Sequence, residues 1–440
     1  MAIAWEKEMA DLLGADRVVS DEATVEKLSK DYYWYSPVLD SKLKGKVADG
    51  VVVVKSEQDV EAVLAYAYRN SIPVTVRGAG TGNYGQAVPL EGGILLDLSK
   101  LDSILEIGDG YTRVQCGVKM GVMEKKARET GQELRIFPST FMVATIGGFV
   151  SGGSGGLGSI TWGNLWDGNV LEAVIYTMEE RPRRLVIKGE DLFDYIHSYG
   201  TTGIMTELTI PLAPRHEWLQ TVFHFDSYEA AARFSEAVAL DESIRKRLVS
   251  SMEWPIPEYF TPLSKHLERE AAAVLLETED GTLEALEAYA GQFGGRRGHT
   301  VPAEKYKKTV SLSDFTWNHT TLWALKTDPT ITYLQASFKL HSYLEQFHLL
   351  KETFGDEVLI HNEWMRAGGR LIPVMIPLVR YTTQARLYDI IDFFEANDMR
   401  VSNPHTWVVN EARFGEFDRM ERTKLINDPR RLLNPGKINL

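Results

Sequence analysis

Arg77-Gly78-Ala79-Gly80-Thr81-Gly82-Asn83-Tyr84-Gly85 follows directly on Ile72 to Val76, a short apolar run that reads as a strand. Glycines let a chain turn tightly, adopt positive φ and bring its N–H groups against a ligand, and such groups are good anion partners. The stretch points to a phosphate or pyrophosphate, with plain turn-building as the competing reading. The nicotinamide-binding turn of a Rossmann unit has to open a helix whose N-terminus holds the pyrophosphate. Here the loop runs into Gln86-Ala87-Val88-Pro89-Leu90-Glu91-Gly92-Gly93, which cannot continue as a helix. No Gly-Lys-Ser/Thr closes it, so it is not a P-loop. What remains is a phosphate cradle with no helix behind it.

Working outward, Val51 to Val54 reads as a short buried strand, and Ser56 with Asp59 caps a helix whose Val60, Val63, Leu64 and Ala67 share a face. Strands are expected at 94–98, 104–107 and 111–117, and a helix from Met120 to Glu129 stopping at Gly131. A second cluster comprises Pro138-Ser139-Thr140, Thr145-Ile146-Gly147-Gly148, Ser151, Ser154-Gly155-Gly156 and Trp162-Gly163. Seven glycines between 147 and 158 cost any regular element roughly 0.5–1 kcal/mol each relative to alanine. Irregular backbone against a flat ligand is expected there. A third piece, Gly200-Thr201-Thr202-Gly203-Ile204-Met205-Thr206-Glu207, has the same character. Together the three argue for one extended cofactor lined by backbone.

In these residues the chain resembles the FAD-binding fold of the vanillyl-alcohol oxidase and p-cresol methylhydroxylase (PCMH-type) flavoproteins. Arg77 to Thr81 resembles that family's R-G-x-G-T pyrophosphate loop, and Thr145 to Gly148 with Ser154 to Gly156 and Trp162-Gly163 resembles its T-I-G-G…A-G-G…Y-G run. Gly200 to Glu207 is similar to its G-x-x-G-I-x-T-E segment, and Asp428-Pro429 with Leu433-Asn434-Pro435-Gly436-Lys437 to its tail. The resemblance implies an α+β chain: a two-part FAD-binding domain over 1–214, a cap over 215–400 with an antiparallel sheet covered by helices, and a return to the FAD domain over 401–440. It implies FAD contacts from Arg77, Gly78, Ala79, Gly80, Thr81, Gly82, Asn83, Tyr84, Pro138, Ser139, Thr145, Ile146, Gly147, Gly148, Ser151, Gly155, Gly156, Gly203, Ile204, Asn434 and Lys437. Many members attach FAD covalently through a histidine in the first loop or a cysteine in the second. Thr81 stands in the first loop here and no cysteine lies near Pro138 to Gly148, so non-covalent FAD is expected. A linkage from a side chain such as His405 stays open.

After Pro211 and Pro214, which read as a domain boundary, strand-like segments alternate with amphipathic helices near 227–240, 280–293, 341–354 and 383–396. Strands are expected at Leu219 to Phe225, Ala272 to Leu276, Ile331 to Phe338, Val358 to Trp364 and Leu371 to Leu378. The cap should carry a base and positive charge near the flavin ring. Alternation puts His361 and Glu363 on one side of a strand, while Arg370 and Arg380 bracket Leu371 to Val379 and His405 closes the cap. His361, His405, Arg370 and Arg380 are therefore the catalytic candidates, against the plain alternatives of surface or hydrogen-bonded histidines and of surface charge for the arginines. Relatives that dehydrogenate 2-hydroxy acids resemble one another in a metal-binding H-x-G-D/G-N-x-H cap motif. The corresponding stretch, Leu371 to Tyr381, holds no histidine, so no metal is expected.

Composition narrows the partners. Acids outnumber bases 61 to 48, for a net charge of −13, which opposes nucleic-acid binding. The single cysteine, Cys116, excludes an internal disulfide. No apolar run is long enough to span a bilayer, and Met1 to Gly14 lacks the basic start of a secretory signal, so a cytoplasmic protein is expected. The expected function is an FAD-dependent oxidoreductase taking a hydride from an alcohol, amine or activated C–H organic substrate, with dioxygen or an electron carrier as acceptor and homo-oligomerisation left open. The alternatives are an FAD-dependent reductase of a carbon–carbon double bond using NAD(P)H, and a non-catalytic FAD-binding protein.

Overall fold

The computed structural model describes residues 4–306, 310–412 and 417–440. Ser56 and Asp59 form the expected capping box, each side chain accepting the other's backbone N–H, and start the helix Glu57–Arg69. Its apolar face covers a four-stranded sheet in the order Val18–Val19, Gly50–Val53, Ile94–Asp97, Val74–Arg77. The last three strands run parallel, as a helical crossover allows. The chain's tail covers the open edge of Val74–Arg77: Val74 N–H donates to Leu432 O and Asn434 N–H to Val74 O.

A second, antiparallel sheet is ordered Ile104–Gly108, Tyr111–Gln115, Ile204–Pro214, Glu172–Tyr176, Arg184–Lys188, with Gln132–Leu134 also on the long central strand. That strand runs through Pro211, which pairs with Tyr111, so Pro211 interrupts nothing. The chain crosses to the third sheet only after Pro214, at Trp218–Phe225.

The third sheet has eight strands, in the order Arg296–Val301, Trp218–Phe225, Ala272–Glu279, Lys246–Met252, His361–Ala367, Arg370–Met375, Gln335–Ser337, Arg400–Ser402. Strand alternation sends Phe223, Phe225, Val274 and Leu276 to one face, where the helices Tyr228–Leu240, Leu283–Gly291, Tyr343–Phe354 and Gln384–Ala396 bury them. Val222, Met252, Ala273 and Leu275 point the other way and meet Phe260, Phe315 and Ala324 of the helix Asn318–Thr327. Three strands expected as continuous are each split between this sheet and a small one made of Ile331–Tyr333, Leu378–Arg380 and Val358–Leu359. The breaks fall at Leu334, Ile360 and Ile376–Pro377, all apolar, so a period-two pattern reads straight across them.

The glycine run also departs from expectation. Ile146–Gly152 is a helix, with Thr145 Oγ1 accepting from Gly148 N–H at 3.3 Å. Gly147 is needed for close approach rather than for bending, because a Cβ there would lie 2.6 Å from Cys116 Cβ.

Candidate functional site

A cavity of about 650 Å3 lies where the glycine segments face the third sheet. Its volume is that of a small-molecule or cofactor site. Arg77 through Tyr84 line it together with Pro138, Ser139, Thr145, Gly147, Gly148, Ser151, Gly155, Gly156, Gly203 and Ile204. Ile146 is off this lining, its side chain buried in the core beneath the second sheet. Asn434 and Lys437 act from behind. Asn434 Oδ1 accepts from Val76 N–H at 3.0 Å and its amide donates to Tyr199 O, while Lys437 Nζ donates to Gln86 O. Burial pushes the Lys437 ammonium down to about 7 and the Asp31 carboxyl up to about 6, each opposed by the other's charge. Asp31 accepts from Tyr33 N–H and Ala87 N–H, so it pins both flanks of the loop.

Arg77 braces the loop instead of facing a phosphate: its guanidinium donates to Leu28 O at 2.6 Å and Lys30 O at 2.7 Å. The anion-binding capacity lies in the main chain. Among the described residues, the amides of Gly78 through Asn83 donate to no protein acceptor. Six consecutive N–H groups around one cavity are the donor set a pyrophosphate requires. Gly78 lets this loop touch the helix, since a Cβ there would collide with Thr145 Oγ1. These features fit FAD.

The four catalytic candidates lie off this lining. His361 is fully buried; its Nε2 faces Glu363 Oε1 at 2.9 Å, Ser250 Oγ at 3.2 Å and Thr320 Oγ1 at 3.4 Å. His361 and Glu363 do share a side of their strand, but the helix Asn318–Thr327 seals that side. His405 is equally enclosed, with Nδ1 2.7 Å from Ser36 Oγ and Nε2 2.9 Å from Tyr333 O, and burial pushes its imidazole down to about 4. Arg380 pairs with Asp328 at 3.0 Å, and Arg370 is exposed at a strand start. Among the described residues, no group of three or more His, Cys, Asp or Glu is arranged to hold a metal ion.

Other side chains stand in their place. Trp317, Asn318, His319, Gln335 and Arg400 line the cavity from the side of the third sheet. Burial pushes His319 down to about 4, with Lys326 adding to the effect, so its ring is neutral at pH 7. The Tyr84 hydroxyl is pushed up to about 12 by burial, opposed by Gln335, Tyr333 and Asn318 around it. Tyr333 Oη, Asn318 Oδ1 and Trp317 Nε1 are buried without a hydrogen-bond partner. Polar atoms left so are costly unless a ligand meets them. Glu363 sets the start of this helix, its Oε1 accepting from Trp317 N–H at 2.7 Å. The signal in the sequence was Trp317-Asn318-His319, a polar–aromatic run that a search along strands passes over.

Residues 48–179 match the family described as FAD binding domain. Glycolate oxidase subunit GlcD of Escherichia coli (strain K12) is 32% identical over 193 residues, 41% of this chain and 38% of that protein. GlcD of Bacillus subtilis (strain 168) is 28% identical over 249 residues, 54% of this chain and 53% of that protein. D-lactate dehydrogenase of Archaeoglobus fulgidus is 30% identical over 184 residues, 39% of this chain and 40% of that protein. The chain thus spans about half or less of the length of these curated relatives. A solved alkyldihydroxyacetonephosphate synthase shares the fold, with a TM-score of 0.73 and 14% identity over 98% of this chain and 85% of that one. No helix among the described residues is long and apolar enough to cross a membrane. The glycine loop, its unpartnered amides and the matched segment all lie on one cavity, so residues 48–179 carry an FAD-binding domain of the kind that family describes.

Proposed function

We propose that this protein is an FAD-dependent oxidoreductase that removes a hydride from an alcohol, amine or activated C–H carbon of a small organic substrate held against the cap, with dioxygen or an electron carrier as final acceptor. FAD in the groove supplies the two-electron acceptor. The observation that carries the reading is the cap-side lining: His319, whose ring meets no hydrogen-bond partner among the described residues, beside the unpartnered Asn318 Oδ1 and Trp317 Nε1. These atoms offer hydrogen bonds to whatever occupies the cavity, and a substrate heteroatom set beside the flavin would take them up. Neutral His319 accepts the proton that leaves a substrate hydroxyl or amine. Tyr84, held protonated by burial, donates to the substrate heteroatom. Leu322, Ile372 and Val374 on the same lining exclude water.

Arg400 favours a second, narrower reading. It lies on the same lining and would meet a carboxylate, which suits a 2-hydroxy acid of the kind named in the glycolate and D-lactate relatives. One experiment sorts these readings: anaerobic bleaching of the bound flavin by a panel of alcohols, amines, 2-hydroxy acids, NADH and NADPH. Bleaching by an alcohol, amine or 2-hydroxy acid, slowed by roughly 10²–10⁴-fold in His319→Gln with FAD still bound, is the expected result. Bleaching by NADPH alone would favour the reductase, and a flavin that nothing bleaches would favour a carrier. An unchanged rate in His319→Gln would remove His319 as the base.

A further inference from the structure

At the edge of the third sheet, a pocket of about 510 Å3 lies between the edge strand Arg296–Val301 and the short helix Thr261–His266. Its lining has no residue in common with that of the FAD cavity. Its size is that of a small-molecule site. The strand that forms it is bulged. Phe223 pairs with Arg297 and Thr221 with Thr300, so Gly298 and His299 together face Val222. A bulge of this kind re-aims side chains, and His299 stacks on His266 with ring centroids 3.8 Å apart. Gly298 leaves the ring beneath it room: a Cβ there would collide with His224 Cε1 and lie 2.7 Å from its Nδ1.

The polar atoms on this lining are donors without acceptors. His224 is 1% exposed. Glu268 N–H donates to its Nε2 at 3.3 Å, so the neutral ring carries its proton on Nδ1, and that N–H is buried with no partner. Thr300 Oγ1 is buried and unpartnered as well. Lys265 is exposed and makes no ion pair among the described residues. Burial and the charge of His266 hold His299 below the ordinary imidazole range, a penalty that an anion beside the two rings relieves. Glu268 is the one acid on the lining, and Arg296 Nε donates to its Oε2 at 2.7 Å; its Oε1 stands 3.6 Å from His224 Nδ1, beyond hydrogen-bond reach. Arg297 is taken by Glu287 at 2.9 Å, which leaves Lys265 and the imidazoles for a ligand. A metal ion fits these atoms poorly. It would need His224 Nδ1 stripped of its proton, and among the described residues no group of three His, Cys, Asp or Glu is arranged to hold one.

We infer that this pocket binds a phosphate group, taken up by the His224 Nδ1–H, the Thr300 hydroxyl, the His266–His299 pair and Lys265. Two sources share that chemistry: inorganic phosphate, and the phosphoryl group of a larger small molecule, for which the pocket has room. The inference does not depend on the oxidoreductase reading. The test is isothermal titration calorimetry of inorganic phosphate and of ribose 5-phosphate into the FAD-loaded protein at pH 7 and fixed ionic strength. Loading with FAD occupies the free amides of Gly78 through Asn83, which would otherwise compete for the probe. Saturable binding of at least one probe is expected. It should weaken about threefold in Lys265→Ala, where the charge is exposed, and about tenfold in His299→Leu and in His224→Phe. Lys265 and His299 lie at the surface, so those two variants decide the matter even if His224→Phe fails to fold. Lys188→Ala, which removes an exposed cation from the second sheet, should leave the affinity unchanged. Ribose 5-phosphate binding at least tenfold more tightly than phosphate would mark a site for a phosphorylated small molecule, and equal or weaker binding a site for phosphate itself. Absence of saturable binding, affinities unchanged in both Lys265→Ala and His299→Leu, or an equal loss in Lys188→Ala would overturn the inference.

Discussion

Gly78→Ala tests how the loop and the glycine helix are joined. The new Cβ would collide with Thr145 Oγ1 while clearing Thr145 Cβ at 3.4 Å and Cγ2 at 3.6 Å. Oγ1 is also the atom that caps the helix Ile146–Gly152 through Gly148 N–H. The alanine must either push the loop off the helix, at ~1–3 kcal/mol for overpacking, or turn the hydroxyl aside and lose a cap worth ~1 kcal/mol. Either displacement moves the amides of Gly78 through Asn83 away from the pyrophosphate position. Thr145→Ala alone loses only the cap and one polar atom on the lining. In the double variant the colliding atom is gone and a 3.4 Å contact of carbon on carbon remains. The two substitutions should therefore couple by ~1–3 kcal/mol, the double costing about what Thr145→Ala costs by itself. Flavin fluorescence during titration of the apoprotein measures the effect. At 1.4 kcal/mol per tenfold, Gly78→Ala should raise the Kd for FAD by roughly 5- to 150-fold, and adding Thr145→Ala should reverse most of it. Additive losses would refute the steric argument.

Glu363→Leu leaves the Trp317 amide and His361 without their shared acceptor, at a cost of ~1–3 kcal/mol per orphaned donor. Flavin reduction should slow while the FAD absorbance stays, and a wild-type rate would deny Glu363 a positioning role. His405 has its imidazole near 4 in the fold against an ordinary 6.5, so its neutral form stabilises the protein above pH 6.5 and that contribution is lost as pH falls towards 4. Roughly 3 kcal/mol is involved at 1.36 kcal/mol per unit, and His405→Leu should flatten the acid limb of a stability–pH curve read by denaturant titration. Arg247→Met takes from buried Glu277 its cation at 3.0 Å, leaving Gln220 Nε2 as a donor, and removes the cation stacked on Trp218. Breaking a buried pair in this way costs ~3–5 kcal/mol, and Arg247→Met with Glu277→Gln should recover part of it; equal thermal midpoints in wild type and Arg247→Met would contradict that.

The FAD half was legible because its information is local. A glycine that must touch another segment, such as Gly78 on Thr145 or Gly147 on Cys116, is written into the sequence at that position. Even so, the reading put ligand contact where protein contact explains the residue, and it took Ile146–Gly152 for irregular chain because propensity alone argues against a helix there. The cap was less legible. Alternation correctly placed His361 and Glu363 together, yet could not show that Thr320 closes over them from a helix starting at Asn318. His319 reaches the cavity only because Glu363, 44 positions on, anchors that helix start, and such a long-range contact leaves no periodic trace. The split strands failed for the same reason: Leu334 and Ile360 are apolar in register, and only the sheets on either side distinguish a break from a continuation.

The most direct test of the account is the visible spectrum of the purified protein, taken before and after acid precipitation with the flavin content quantified per chain. The account predicts a yellow protein carrying about one FAD per chain, with the colour passing to the supernatant on precipitation. A colourless protein that FAD cannot reconstitute would contradict the assignment of the cavity, and a yellow pellet would contradict non-covalent binding.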